Sequence, residues 1–282
     1  MPSGFPQQLW SSFREWWRAQ TRAAGFAGSA SLLARKLFDF VRESTPEQRR
    51  RRYGDMEYDW EHRVNTTSGT VGWRARLLGL FHSPYQPTDP ILFSEMMASL
   101  PIVFEQFTFM DVGSGKGRTL LMASEYPFRR IVGVELIAEL HEAAEENLRA
   151  YHSATQKCSQ IEAVCADACD FPFPNEPLVL YLFNPLPESG MRRMVARLET
   201  SLAANPRPAY VLYHNPLLER VIAGSARFEK GTSTAQYCIY SAGKAVECEP
   251  GVAMMKSESP RLAESGMLPM QSVEGKIAKS EG

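Results

Sequence analysis

The sequence predicts an α/β fold in which helices cover both faces of a mostly parallel, doubly wound sheet. Three observations support this prediction. Strand and helix patterns alternate from residue 107 to residue 241. One strand runs directly into glycines at positions 113, 115 and 117. An acidic residue also stands at the end of each of the first three strands or just after it.

Seven strands and the helices between them can be placed on the sequence. Runs of β-branched and aromatic residues predict strands over residues 107–111, 131–135, 161–165, 178–183 and 209–213, with a last pair near 226–241. Helical spacing of apolar residues predicts helices over residues 89–100, 117–125, 137–150 and 188–203. The first of these begins at Asp89 and Pro90, a capping side chain followed by a residue whose missing N–H is not needed there.

The N-terminal region contains two predicted amphipathic helices within residues 5–43, separated by a break near Gly25 and Gly28. The first helix has a tryptophan-rich apolar stripe opposite several arginines. Such a stripe either packs on its own domain or lies against a membrane surface as a peripheral contact. The sequence leaves both interpretations open.

Three regions follow from the change of pattern along the chain. Residues 1–88 are predicted to form a helical and loop-rich N-terminal cap that holds all the tryptophans. Residues 89–242 are predicted to form the sheet domain. Residues 243–282 are mainly Glu, Lys, Ser, Pro, Gly and Met, which bury too little apolar surface to order a chain, so we expect a disordered C-terminal tail.

Charge and cysteine content narrow the classes of function. The 31 basic and 32 acidic residues give a formal charge of −1, so no overall field indicates a stable nucleic-acid partner. The cysteines and histidines lack the paired spacing of metal sites. With no signal peptide and no apolar run of transmembrane length, we expect a cytoplasmic protein without a bound metal.

The glycine-rich turn after the first strand is the main candidate for ligand binding. Asp111 ends the strand, and Gly113, Ser114 and Gly115 follow it before a predicted helix. Glycines at these positions let the backbone approach a ligand closely, because no side chain stands between the peptide and the ligand.

Two further acids end the next strands. Glu135 closes the second strand, where a carboxylate can accept hydrogen bonds from both hydroxyls of a ribose. Asp167, followed by Ala168, comes just after the third strand and could accept a hydrogen bond from the exocyclic amine of adenine. Because the carboxyl ends of parallel strands border one crevice, we expect Asp111, Glu135 and Asp167 to converge there.

These residues resemble the class I, seven-strand S-adenosylmethionine-dependent methyltransferases, which have a Rossmann-like fold. The resemblance covers about residues 105–242. It implies that Asp111, Gly113, Ser114 and Gly115 line the methionine part of S-adenosylmethionine. It also implies that Glu135 holds the ribose, while Asp167 and Ala168 meet the adenine.

The end of the fourth strand, Asn184-Pro185-Leu186-Pro187, resembles the Asn-Pro-Pro-aromatic element of amino-directed methyltransferases. The resemblance implies an amino acceptor, in a protein or a small molecule, whose nitrogen is aimed by Asn184 and the carbonyl of Pro185. The sequence departs from that element at Leu186 and Pro187, which argues against a nucleic-acid base as acceptor. Asn184 could instead be only a helix cap.

Two other side chains are candidates near the acceptor. Tyr85 lies in the segment 83–88, ahead of the helix that precedes the sheet, and either lines the acceptor pocket or simply packs. His214 ends the fifth strand on the crevice side and could act as a general base.

Two alternative functions remain open at this point. An NAD-dependent oxidoreductase shares the fold, but its third glycine would fall at the position of Arg118 rather than at Gly117. A binding module without catalysis would hold S-adenosylmethionine and never transfer its methyl group. The predicted function is a methyltransferase that acts on an amino nitrogen.

Overall fold

The computed structural model describes residues 5–43, 56–81 and 85–243. The tail predicted from residue 243 therefore lies, apart from Gly243, outside the described residues. The segment 83–88 is described from Tyr85 onward.

Helix α1, Phe5–Glu43, confirms the two predicted N-terminal helices, which join at a kink. Gly25 has φ 69° and ψ 178° there, a conformation that glycine adopts without the cost that a side chain would add. Trp16 is buried and packs on Phe81, with ring centroids 5.7 Å apart, so part of the tryptophan stripe packs on its own domain.

The predicted loop-rich stretch that follows contains more helix than the sequence indicated. Helices α2, Met56–His62, and α3, Trp73–Gly79, flank a single 3₁₀ turn at Ser68–Thr70. Each helix has only seven residues, which is too short for apolar periodicity to reveal it.

The sheet has seven strands, and their positions agree with the prediction to within a few residues. The strands are β1 Thr108–Val112, β2 Arg130–Glu135, β3 Ile161–Cys165, β4 Leu178–Leu182, β5 Ala209–His214, β6 Glu229–Ser233 and β7 Tyr237–Ala242. Their order across the sheet is β3-β2-β1-β4-β5-β7-β6. The first five strands are parallel, whereas β7 pairs antiparallel with both β5 and β6.

Five helices connect these strands or precede them. They are α4 Pro90–Ala98, α5 Arg118–Ala123, α6 Ala138–Ala150, α7 Glu188–Ala204 and the short α8 Glu219–Ala223, which was not predicted. The predicted cap of α4 is confirmed, since the Asp89 side chain accepts a hydrogen bond from the N–H of Leu92 at 3.0 Å. A single 3₁₀ turn, Phe104–Gln106, leads from α4 toward β1.

The central strands are buried on both faces, as expected for a sheet with helices on each side. Alternate residues of β1 face different clusters: Phe109 packs with residues of α4 and α5, and Met110 packs with residues of α7. This arrangement explains why the strands read as continuous apolar runs. In the described part of the chain, no helix has the length and apolarity needed to cross a membrane.

Candidate active site

A cavity of about 690 Å³ lies at the carboxyl ends of the parallel strands, where the crevice was expected. It is lined by all the residues predicted to hold the cofactor or the acceptor except the candidate base His214: Tyr85, Asp111, Gly113, Ser114, Gly115, Glu135, Asp167, Ala168, Asn184 and Pro185. The chain thus brings the glycine turn, the acids of three neighbouring strands and the end of the fourth strand to one place.

The glycine turn has no room for a side chain at position 113 or position 115. Gly113 and Gly115 have φ values of 76° and 55°, in the left-handed region that favours glycine. A Cβ atom at Gly113 would lie 2.8 Å from Cβ of Pro185, and one at Gly115 would overlap the ring of Tyr85. The turn therefore contacts both the fourth-strand element and the N-terminal cap through its backbone.

Ser114, between these glycines, has a buried hydroxyl without a hydrogen-bond partner among the described residues. Its Oγ lies where a Cβ of Gly133 would approach to 2.8 Å, so the hydroxyl is packed against the neighbouring strand. A buried polar atom without a partner is uncommon in folded proteins. Ser114 lines the cavity, and its hydroxyl is enclosed on the side of Gly133.

Asp111 is a buried carboxyl that lines the cavity. The Thr119 hydroxyl donates a hydrogen bond to its Oδ2. Burial raises the pKa of Asp111 to about 7, the Thr119 hydrogen bond opposes this rise, and the nearby Glu135 adds to it. A positively charged ligand group would favour the ionised form of this carboxyl.

Glu135 is held by backbone groups on both of its oxygens. Oε2 accepts the N–H of Gly115 at 2.8 Å, and Oε1 accepts the N–H of Ile137 at 2.8 Å. Burial raises the pKa of Glu135, while these backbone hydrogen bonds lower it. A carboxylate oxygen can accept a second hydrogen bond, so this fixed carboxylate retains capacity for ligand hydroxyls.

Asp167 is oriented from two directions. Its Oδ1 accepts the backbone N–H of Cys169 at 2.8 Å, and its Oδ2 lies 3.3 Å from the guanidinium of Arg193 on α7. Ala168 is buried beside it. The sequence analysis did not identify Arg193. No local pattern around Arg193 indicates that this part of α7 lies beside the end of β3.

Asn184 connects the ends of β4 and β5. Its Nδ2 donates to the carbonyl of Asn215 at 2.7 Å, and its Oδ1 accepts the Tyr213 hydroxyl at 2.9 Å. The backbone of Asn184 has φ 46°, a left-handed conformation that asparagine tolerates better than most residues. The alternative role as a helix cap is wrong, because the residue before α7 in the cap position is Pro187.

His214 lies behind the cavity wall and not on the wall itself. Its Nδ1 is 2.8 Å from the hydroxyl of Tyr181, which in turn is 2.8 Å from the Thr88 hydroxyl. Its ring stacks on Phe183 at 3.9 Å between centroids. Burial lowers the pKa of His214 to about 4, which makes it a neutral hydrogen-bonding partner near pH 7 and a weak base.

Tyr85 both packs and lines the cavity. Its ring covers Gly115, and its hydroxyl donates to the carbonyl of Thr66 at 2.6 Å. The two interpretations of this residue are therefore compatible.

A buried clamp holds the cap against the glycine turn, and sequence reasoning missed it. Asp59 on α2 accepts the N–H groups of Thr66 and Thr67 at 2.7 Å each. The same carboxylate lies 3.2 Å from the guanidinium of Arg118, which is stacked 4.8 Å from the ring centre of Tyr58. Asp59 and Arg118 are both less than a tenth exposed, so this ion pair is shielded from water.

Lys116 adds a second contact between the turn and the cap. Its Nζ donates to the carbonyl of Thr67 at 3.1 Å and to Oδ1 of Asn65 at 3.3 Å. Burial lowers the pKa of Lys116 to about 8. Asn147 of α6 completes the contact, since its Nδ2 donates to the carbonyls of Lys116 and Asn65 at 2.9 and 3.1 Å.

The N-terminal helix forms part of the cavity wall, which the sequence did not indicate. Lys36 and Phe40 of α1 line the cavity together with Arg76 of α3. The Lys36 ammonium donates to the carbonyl of Leu80 at 2.8 Å, and the Arg76 guanidinium lies 5.1 Å from the ring centre of Phe40.

The sheet order separates this protein from the dinucleotide dehydrogenases. Their usual order is 3-2-1-4-5-6 with parallel strands, whereas here the antiparallel β7 lies between β5 and β6. This topology, with the glycine turn and the strand-end acids, defines the class I methyltransferase fold.

The comparison with protein families agrees with the fold. Residues 109–205 match the family model described as a methyltransferase domain. The match spans 97 of the 282 residues, so it identifies a methyltransferase domain in this part of the chain. A search of the curated proteins finds no match.

Solved structures with a similar fold include three methylases. A predicted N6-adenine-specific DNA methylase from Listeria monocytogenes is 16% identical with a TM-score of 0.42, covering 56% of this chain and 52% of its own. The ribosomal protein L11 methylase from Lactobacillus delbrueckii is 16% identical with a TM-score of 0.36, and the match covers 55% of this chain and 76% of the methylase. An RNA methyltransferase from Salinibacter ruber, in complex with S-adenosyl-L-homocysteine, is 16% identical with a TM-score of 0.36. The match covers 60% of this chain and 99% of the methyltransferase. The chain thus spans about half the length of the first of these, and such values carry no information on the substrate.

Proposed function

We propose that this chain transfers the methyl group of S-adenosylmethionine to an amino nitrogen of a protein or a small molecule. The observation that carries the proposal is the convergence of Asp111, Glu135 and Asp167 on one cavity beside the glycine turn. Three acids on neighbouring strands can each meet a different part of one extended ligand.

The residues present fit the cofactor. Asp111 suits the ammonium of the methionine part, because a cation relieves the cost of ionising a buried carboxyl. Glu135 suits the ribose hydroxyls, and Asp167 with Ala168 suits the adenine. Gly113 and Gly115 line the cavity without side chains, so the methionine part could lie against their backbone.

The acceptor lies, in this proposal, near Asn184 and Pro185. S-adenosylmethionine supplies an electrophilic methyl group when bound, so the remaining task of the chain is to aim the acceptor nitrogen. The Asn184 amide is held on both ends by Tyr213 and Asn215, which fixes its orientation. Its carbonyl oxygen accepts the Tyr213 hydroxyl at 2.9 Å and the N–H of Leu217 at 3.4 Å, so an N–H of the acceptor amine would have to replace the longer of these two hydrogen bonds.

The neighbourhood favours an acceptor that needs little help from a titrating base. His214 is neutral, has a pKa of about 4 and lies behind Tyr181 and Phe183. An amine that reaches the cavity uncharged has a lone pair ready for transfer and can lose its proton to water afterward. The cavity volume of about 690 Å³ lies within the range of small-molecule sites and leaves space beside a cofactor for an acceptor group.

Binding and turnover together test the proposal. Calorimetry should show S-adenosylmethionine and S-adenosylhomocysteine binding with micromolar affinity, on the order of −8 kcal/mol, and much weaker binding of NAD. Radiolabelled methyl transfer should then be measured into separate protein, nucleic-acid and small-molecule fractions of a cell extract. Label in the protein or small-molecule fraction supports the proposal, and label only in nucleic acid contradicts the acceptor. Binding without any turnover would favour the non-catalytic binding module, and preference for NAD would favour the oxidoreductase.

A further inference from the structure

The wall that the N-terminal cap contributes to the cavity contains a lysine without an acidic partner. Lys36, in the second half of α1, lines the cavity. Its ammonium donates a hydrogen bond to the carbonyl of Leu80 at 2.8 Å and lies 6.0 Å from the ring centre of Trp16. Among the described residues, no carboxylate forms an ion pair with Lys36. An ammonium has three N–H donors, so the bond to Leu80 leaves two of them available.

The surroundings of this ammonium provide little compensation for its charge. Lys36 is half-buried, and burial lowers its pKa. The cap also contributes the apolar residues Phe40 and Val71 to the cavity lining. Asp39 of α1 lines the cavity too, but it pairs with Arg42 at 3.4 Å. A charge that is partly removed from water and has no ionic partner costs free energy, which a bound anion would offset.

A second cation of the cap lines the same cavity. Arg76 of α3 is half-buried, and its guanidinium lies 5.1 Å from the ring centre of Phe40. Arg76 precedes Leu80, whose carbonyl holds Lys36, by four residues, which is the spacing of neighbours on one side of a helix. The cap therefore contributes two cations to the cavity, whereas the ends of the sheet strands contribute acids.

We propose that Lys36 binds an anionic oxygen group, a carboxylate or a phosphate, of a molecule held in the cavity. Such a group can accept the two N–H donors that the bond to Leu80 leaves, and hydrogen bonds between charged partners are stronger than neutral ones. The inference rests on the proposed function, which brings two sources of such a group into the cavity. One is the carboxylate of the methionine part of the cofactor, and the other is an acidic group on the acceptor. The residues proposed above for the cofactor include no cation, so neither group otherwise has a charged partner.

Calorimetry on the full chain tests the cofactor as the source. The probes are S-adenosylhomocysteine and S-adenosyl-3-thiopropylamine, which is the same molecule without the carboxylate. With the cofactor as the source, Lys36→Met should lose about tenfold or more of its affinity for the first probe and less than about twofold for the second. A lysine that only fastened α1 to α3 would affect both probes alike. Arg35→Met, which changes an exposed neighbour outside the cavity lining, is the matched control and should bind both probes like the wild type.

Kinetics with the extract fraction that accepts label tests the acceptor as the source. The KM is then expressed as the amount of fraction that gives half the maximal rate. With the acceptor as the source, Lys36→Met should raise this KM about tenfold or more, while its affinity for S-adenosylhomocysteine stays within about twofold of the wild type. Lys36→Arg keeps the positive charge and should restore most of the loss in either experiment.

The outcomes are distinct. A loss confined to S-adenosylhomocysteine assigns the anion to the cofactor, and a loss confined to the KM assigns it to the acceptor. Unchanged affinities and KM in Lys36→Met, equal losses for both calorimetric probes, or failure of Lys36→Arg to restore binding would overturn the inference and leave the proposed function standing. If no extract fraction accepts label, calorimetry alone decides. Wild-type protein that binds neither probe would contradict the proposed function, and this inference with it.

Discussion

The backbone N–H of Gly115 donates a hydrogen bond to Oε2 of Glu135 at 2.8 Å, which joins the glycine turn to the acid of the neighbouring strand. The two elements are 20 residues apart in the chain and form one unit at the site. A change at either residue should therefore affect the contacts of both with the cofactor.

Replacing Glu135 should weaken cofactor binding. Glu135→Ala removes the acceptor proposed for the ribose hydroxyls and the partner of the Gly115 N–H, so we expect a loss of about 2 kcal/mol, or roughly thirtyfold. Calorimetry with S-adenosylhomocysteine measures it. Glu162→Ala, an exposed acid on β3, is the control and should bind like the wild type. Equal affinity of Glu135→Ala and wild type would remove Glu135 from the site.

Adding a methyl group at Gly115 should weaken cofactor binding more than the small size of that group suggests. Gly115→Ala forces a side chain into the left-handed region and into the ring of Tyr85, so we expect cofactor affinity to fall at least about tenfold. Gly231→Ala, where an added Cβ would make ordinary contact at 3.5 Å, should leave affinity unchanged. If Gly115→Ala binds as tightly as Gly231→Ala, the turn does not hold the cofactor.

Much of the fold and the convergence of three acids on one cavity could be predicted, because both depend on local pattern and on one rule of sheet geometry. Apolar runs located the strands, and the convergence of parallel strand ends brought Asp111, Glu135 and Asp167 together. The clamp between Asp59 and Arg118 could not be predicted. Its partners lie 59 residues apart, and Arg118 looked only like a departure from the dinucleotide pattern. The same holds for Lys36 and its contact with Leu80, 44 residues away.

The environment of Asn184 marks another limit of sequence reasoning. The motif indicated an amide beside the acceptor, and Asn184 does line the cavity. That Tyr213 and Asn215 would already hold both ends of this amide depends on how the loops after β4 and β5 meet, which no local pattern specifies.

Cofactor binding should depend on pH through Asp111. In the free protein the pKa of this carboxyl is raised to about 7, chiefly by burial, and a bound ammonium should lower it. Below pH 7 binding must therefore expel a proton, so affinity should decrease as pH falls, by up to about tenfold per unit. Calorimetry at pH 6 in buffers of different ionisation enthalpy counts the proton released. Asp111→Asn should bind weakly at every pH and release none, and proton uptake by the wild type would contradict this role.

Breaking the buried clamp should destabilise the fold. Arg118→Met leaves Asp59 buried without its cationic partner, and we expect the free energy of unfolding to fall by about 3–5 kcal/mol. The exposed arginine of the pair Arg192–Glu188 provides the control, since Arg192→Met should cost less than about 1 kcal/mol. Chemical denaturation followed by circular dichroism compares the two. Similar losses in both variants would show that the clamp adds no more than a surface ion pair.

Asn184 should affect turnover more than binding. Asn184→Ala removes the amide proposed to aim the acceptor, so we expect methyl transfer to slow about a hundredfold while cofactor affinity changes less than about threefold. Tyr213→Phe removes the hydroxyl that holds Oδ1 of Asn184 and should produce a smaller loss of the same kind. A parallel loss of affinity and rate in Asn184→Ala would instead show that the residue supports the cavity as a whole.

The proposed acceptor is a nitrogen atom, so the atom to which the methyl group becomes bonded is the property to measure. The full chain should be incubated with S-adenosylmethionine carrying a ¹³C-labelled methyl group and with the extract fraction that accepts label, and the product examined by proton–carbon correlation NMR. We expect a new methyl signal with the carbon shift of an N-methyl amine, formed together with S-adenosylhomocysteine. A labelled methyl group on oxygen, carbon or sulfur, or no labelled product while S-adenosylmethionine stays bound and intact, would contradict it.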